Sequence, residues 1–179
     1  MVNDDSRLAR LASEGDEEAF ETIVRTHEKT IYNVAYRMVR SHDDALDITQ
    51  TVFIKAYRKL HTFKSGHKLF SWLYRIAVNE SISHLRRSRP TLELDCERVA
   101  GGTSAAADVE RAETSDQISQ ALLGLSVDHR VVVVLKYFLD LSYREISEIV
   151  GIPEKTVKSR LFTAREKLRG ILIGLGVSR

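Results

Sequence analysis

At 179 residues, with 43% apolar content and a formal net charge of +2, the chain has enough apolar material for one domain or two small ones and is too apolar for a disordered polymer. Its apolar residues come in short periodic groups, without the run of about 18 that a bilayer span requires, which predicts a soluble, cytoplasmic protein with no membrane insertion. The single cysteine, Cys96, excludes an internal disulfide framework and a Cys-x-x-Cys zinc site.

The small net charge hides a partition. Through residue 54 the acids lead, among them Asp16, Glu17, Glu18, Asp43, Asp44 and Asp47. From 55 to 89 the sign inverts, and Lys55, Arg58, Lys59, Lys64, Lys68, Arg75, Arg86, Arg87 and Arg89 stand against Glu80 alone. A second basic block holds Lys155, Lys158, Arg160, Arg165, Lys167 and Arg169. Two separated cationic patches fit a polyanion gripped at two places, or two solvated basic faces.

The first predicted helix lies between Gly15 and Ser41, where Phe20, Ile23, Val24, Ile31, Val34, Ala35, Met38 and Val39 recur at helical intervals. Ser41, with Asp44 three residues on, is a capping signal for a second helix. That helix carries Ala45, Ile48, Val52, Ala56, Tyr57 and Leu60 on one stripe. The segment from His61 to Lys68 breaks the pattern and predicts a loop. Phe63 and Phe70 edge this loop, which also carries Lys64 and Lys68. A third helix, roughly 69 to 88, turns Phe70, Leu73, Ile76, Ala77 and Leu85 inward.

Periodicity fails from Arg89 to about Arg111, where Pro90, Gly101 and Gly102 predict a flexible linker over 89–112. The resulting division is a first domain over 1–88 and a second over 113–179. The second begins with Ile118, Ala121, Leu122 and Leu125 on one helical face. The run VVVVLKYF at 131–138 has β-propensity, but no other strand exists to pair with it, and it is predicted helical. All elements are therefore α.

With Gly151 as the turn glycine, the last third reads as a helix-turn-helix: Ile146 and Val150 before it, Val157 and Leu161 after it, and Ser147 where the helices approach. Pro153 belongs only in a first turn and fixes where the second helix starts. With Val157, Leu161, Ala164 and Leu168 inward, Lys155, Lys158, Ser159, Phe162 and Thr163 face outward, and Thr156 and Arg160 lie at the edges. Such a face suits a major groove, where cations hold phosphates or guanine edges and an aromatic touches a thymine methyl. A helical hairpin with a solvated basic face is the plainer alternative.

In the first domain, DALDITQTVFIKAYRKL, then HTF, then FSWLYRIAVNESISHLRR resembles the sigma-2 region of extracytoplasmic-function (ECF) sigma factors of the sigma-70 family. LDLSYREISEIVGIPEKTVKSRLFTAREKL resembles the sigma-4 region of the same family. The family's acid after the first alanine is Leu46 here, the glutamate before the Val-Phe pair is Thr51, and an aspartate of the Asn-to-Arg stretch is Ser83.

The resemblance implies a factor that binds core RNA polymerase through its beta-prime clamp and beta flap and directs initiation at promoter DNA. Asp47, Gln50 and Thr51 would meet the clamp. Lys155, Thr156, Lys158, Ser159, Arg160, Phe162 and Thr163 would read the minus-thirty-five element. His61, Phe63, Lys64, Lys68, Phe70, Asn79, Arg86 and Arg87 would capture and melt the minus-ten element. An anti-sigma factor is a further implied partner. No histidine spacing, thiol pair or glycine-rich loop offers a catalytic, metal or cofactor site, so no enzymatic activity and no cofactor are expected. The rival reading is an autonomous dimeric helix-turn-helix regulator that binds operators without polymerase.

Overall fold

The structure, a computed structural model, describes residues 2–63, 68–88 and 118–174. The predicted linker over 89–112, the onset of the second domain at 113, Lys64 and Cys96 lie outside the described residues.

The first half begins with a helix that periodicity did not announce, α1 (Val2–Ser13), whose Ala9 and Ala12 are buried against α2 (Glu17–Val39). Asp16 starts α2 by accepting the Ala19 N–H at 3.0 Å, with Glu17 and Glu18 at the positive end of the helix dipole. Arg40 ends it in the left-handed region, φ 62°, returning its N–H to the Tyr36 carbonyl. Ser41 then caps α3 (His42–Lys59) by accepting the Asp44 N–H at 3.3 Å, as the sequence signal predicts. A single 3₁₀ turn, Leu60–Thr62, occupies the start of the expected loop. Next comes α4 (Leu69–Arg87).

Helices α2, α3 and α4 pack mutually, with α1 laid across α2. Ile23, Ile31, Val34, Met38, Val52, Leu69, Leu73 and Val78 fill the space between them. Thr49 and Ser81 are buried without an unmet donor, because each hydroxyl donates to the carbonyl four residues back, Ala45 at 2.7 Å and Ala77 at 2.8 Å. Tyr57 departs from the expected stripe. It is 53% exposed and meets Phe20 edge to face, with ring centroids 5.0 Å apart.

The second half is helical over 118–123 and continues through α5 (Val127–Tyr137), α6 (Tyr143–Val150) and α7 (Glu154–Gly174). Val131, Val132, Val133, Val134 and Leu135 are all buried, since α2 of the first domain, α6 and α7 surround α5. Burying each valine is worth about 1.5–3 kcal/mol, which outweighs the ~0.5 kcal/mol its side chain costs a helix. Ile118, expected inward, is 40% exposed because it borders an open groove, and Ile149 is buried where Val150 is only half so.

The two halves are not held apart. α2 packs on α5, α4 packs on α6, and one apolar cluster runs through both domains. At the seam the buried Arg130 donates to the Leu122, Leu123 and Leu125 carbonyls at 2.9 to 3.3 Å and to the Met38 carbonyl of α2. Its guanidinium thus sits among carbonyls at the negative ends of two helices, which is how a buried cation is tolerated.

Candidate nucleic-acid interface

The helix-turn-helix is assembled by local hydrogen bonds. Ser142 and Glu145 form a reciprocal capping box on α6, Ser142 Oγ accepting the Glu145 N–H and a Glu145 carboxylate oxygen accepting the Ser142 N–H at 3.0 Å. Gly151 ends α6 at φ 75°, a conformation that favours glycine. Ser147 matters through its hydroxyl as well as its size, donating to the Ile152 carbonyl at 2.6 Å, while its own carbonyl accepts the Gly151 N–H. The Pro153 carbonyl accepts the Thr156 and Val157 N–H groups at the start of α7.

The turn therefore sets α7 with Val157, Leu161 and Ala164 buried, Leu168 half-buried, and Lys155, Lys158, Ser159, Phe162 and Thr163 exposed. Phe162 is 62% exposed, far beyond what a core aromatic shows. Lys158 extends over the Tyr143 ring at 5.7 Å, which places it beside the start of α6. Arg160 is turned aside, donating to Asp128 of α5 at 2.9 Å, and Thr156 is half-buried.

On α4, Lys68, Arg75, Asn79 and Arg86 recur at helical spacing along one stripe, and all four are exposed. Arg75 is the member that the motif reading missed, although the same spacing predicts it. Arg86 and Arg87 have no ion pair among the described residues, whereas Lys55 is engaged by Glu80 at 2.5 Å. His61 is exposed in the 3₁₀ turn. Phe63 is half-buried against Trp72, ring centroids 5.7 Å apart, and Phe70 against Tyr74 at 5.7 Å, so both aromatics support the domain as well as bordering the stripe. Lys68 reaches over the Phe70 ring and donates to Glu145 of α6 at 2.6 Å. That hydrogen bond, followed by the Ser142 N–H, pushes the Glu145 carboxyl down to about 2.

A third surface is the outer face of α3. Asp47 and Gln50 are exposed there, Thr51 is half-buried, and Leu46 and Ile54 add apolar exposure of 41% and 52%. On the second domain a groove of about 990 Å³ runs between Ile118, Tyr137 and Phe138 on one side and Leu168, Leu172 and Ile173 on the other, with Arg165 and Arg169 at its rim. Among the described residues no cluster of ligand-type side chains is placed to hold a metal ion, and no helix is long and apolar enough to cross a membrane.

Residues 23–91 match the family model for sigma-70 region 2, and residues 115–168 that for sigma-70 region 4. The ECF RNA polymerase sigma factor SigW of Bacillus subtilis is 40% identical over 167 residues, covering 87% of this chain and 89% of its own length. The ECF RNA polymerase sigma-E factor of Escherichia coli K12 is 32% identical over 176 residues, covering 92% of each. Among solved structures, CnrH in complex with the cytosolic domain of CnrY superposes with a TM-score of 0.75 at 26% identity, over 96% of this chain and 98% of that one. The sigma factor RpoE of Bartonella quintana, in complex with the anti-sigma factor NepR, gives 0.69 at 25% identity, over 89% and 98%. The chain belongs to the extracytoplasmic-function sigma factors of the sigma-70 family.

Proposed function

We propose that the chain directs core RNA polymerase to its promoters from the cytoplasm by dividing recognition between the two domains. The observation that carries this reading is the outward face of α7, where Lys155, Lys158, Ser159, Phe162 and Thr163 stand free of the core. Inserted in the major groove of the minus-thirty-five element, the cations hold phosphates or guanine edges, the hydroxyls accept or donate, and Phe162 packs on a thymine methyl. Arg160 braces the helix through Asp128 rather than reaching for DNA.

The α4 stripe serves the minus-ten element. Lys68, Arg75 and Arg86 track the phosphates of the displaced strand, Asn79 offers an amide to a base edge, and the Phe63–Trp72 and Phe70–Tyr74 pairs give an extruded base an aromatic border. The outer face of α3 docks on the beta-prime clamp, and with Leu46 in place of the family's acid that contact rests on Leu46 and Ile54 as well as on Asp47 and Gln50. The groove of the second domain fits an apolar helix with acidic flanks, which suits the beta flap, since its floor is apolar and its rim carries Arg165 and Arg169. The structural neighbour RpoE, bound to a chain named an anti-sigma factor, supports an anti-sigma partner for this chain. No bond-making step is assigned to this chain; the nucleotidyl chemistry belongs to the polymerase.

The test is duplex binding with and without core polymerase. A sigma factor protects promoter DNA only in the complex and enters it as a single copy. Specific operator binding by a symmetric dimer without polymerase would overturn the reading in favour of an autonomous regulator.

A further inference from the structure

Among the described residues, the large apolar side chains that the first domain exposes are Leu46, Ile54 and Tyr57, and all three lie on α3. A helix turns about 100° per residue, which puts them on one stripe with Asp43, Asp47, Gln50 and Arg58, all exposed. Charge on this stripe is ordered. The acids stand at its N-terminal end, Arg58 stands at its C-terminal end, and Gln50 and Thr51 make a neutral middle. Neither Asp47 nor Arg58 is taken up by an ion pair among the described residues. Shape is ordered in the same way. A pocket of about 190 Å³ opens beside Leu46, with Glu28, Lys29, Tyr32 and Thr49 as its other walls. Tyr57 projects at the opposite end, about 16 Å further along the helix, its ring steadied by Phe20.

We propose that this face pairs with a second copy of itself, α3 against α3, antiparallel about a two-fold axis near Gln50 and Thr51. In such a pair residue i of one copy meets j of the other, and j meets i. Tyr57 of each copy then comes opposite the pocket beside Leu46 of its mate, and Asp43 and Asp47 come opposite Arg58. Ile54 closes the middle against Gln50. A parallel pair would set acid on acid and Arg58 on Arg58, and would bring each pocket opposite another pocket. Charge and shape thus reverse about one midpoint, which is what a self-complementary face requires. One helix pair is a small interface, so the dimer is weak and belongs to the micromolar range. Within it Leu46, Asp47, Gln50 and Ile54 are covered, and self-association and docking on polymerase exclude each other. The pairing stands on the geometry of α3; the competition rests on the assignment of that face to the beta-prime clamp.

The experiment is sedimentation velocity of the full chain from about 1 to about 100 µM. The parent should pass from monomer to dimer at about 10 µM. Ile54→Glu should weaken association by about tenfold. Asp47→Arg and Arg58→Asp should each weaken it too. An equimolar mixture of these two variants should recover parental association, because every cross-pair then sets opposite charges together. Mixing would not mend a folding defect. A parent still monomeric at about 100 µM, a dimer indifferent to Ile54→Glu, or a mixture no better than its parts overturns the pair. Added core polymerase should replace the dimer by a complex holding one copy of the chain, and a complex that retains the dimer overturns the competition. Transcription separates this inference from the reading beneath it. A parent that dimerises but supports no transcription with core polymerase keeps the pair and loses the sigma-factor role, and one that transcribes but never dimerises loses the pair alone.

Discussion

Arg130 on α5 donates to the Met38 carbonyl in the last turn of α2, so one buried cation joins the two domains while it also closes the end of the helical stretch over 118–123. Removing it takes a donor from the buried Met38 and Leu125 carbonyls, while the Leu122 carbonyl keeps the Leu125 N–H. Arg130→Met should lower stability by about 1–3 kcal/mol for each buried carbonyl left unpaired, measured in denaturant unfolding. Arg130→Lys should recover little, because one ammonium cannot reproduce the planar fork that reaches both helix ends. Wild-type stability in either variant would remove Arg130 from the seam.

The recognition face of α7 can be stripped without touching the core. Lys158 and Ser159 are both exposed, and the Ser159 hydroxyl donates to the Thr156 carbonyl of its own helix. The double change to alanine should cost about 1–3 kcal/mol of preference for the upstream element for a lost base contact. The melting temperature should stay where it is. Holoenzyme footprints on matched and mismatched upstream elements provide the measurement, and an unchanged preference would move recognition elsewhere on the helix.

Asp47 lies on the solvent side of α3, away from the buried Ile48 and Val52. Asp47→Arg should weaken association with core polymerase at unchanged thermal stability, and Leu46→Asp should weaken its apolar part. Surface plasmon resonance against core enzyme separates these outcomes from a folding defect, which would show as a fall in melting temperature.

His27 is buried on α2, and its Nε2 has no hydrogen-bond partner among the described residues and lies 3.9 Å from an Asp5 carboxylate oxygen. Burial lowers its affinity for a proton, and Asp5 opposes this only in part. The unfolded chain then binds the proton more readily than the folded one, so stability should fall as pH drops below about 6.5. His27→Leu should flatten that dependence between pH 7.5 and 5.5 in thermal unfolding. A pH dependence unchanged by the substitution would assign it to other groups.

Asn79→Ala tests the α4 stripe with least risk to the fold, because the side chain is exposed. Transcription from a duplex promoter should fall, and a template already mismatched across the downstream element should recover much of the loss, since the few kcal/mol of unpairing no longer have to be supplied. Equal defects on both templates would make Asn79 a general binding residue. Phe63, a sharper choice on sequence grounds, is less informative, since its contact with Trp72 couples capture to packing.

Helices α2, α3, α4 and the helix-turn-helix were legible because each buries large apolar residues at regular spacing and carries its own caps, as at Ser41 and Gly151. The α7 face followed from the same periodicity. α1 escaped because its contact rests on Ala9 and Ala12, whose small side chains leave no apolar stripe strong enough to read. The seam escaped for a different reason: Lys68 and Glu145 lie 77 residues apart, and neither residue type announces a partner at that range. Arg75 was overlooked inside a recognised motif, although its spacing from Lys68 and Asn79 puts it on the same stripe.

Run-off transcription over a randomised promoter library asks whether this chain gives core polymerase its choice of start sites. With the chain added to core enzyme, transcripts should start at sites that share an upstream and a downstream element at fixed spacing, and the upstream consensus should be lost when Lys158 and Ser159 are both alanine. The same transcript population with and without the chain would contradict it.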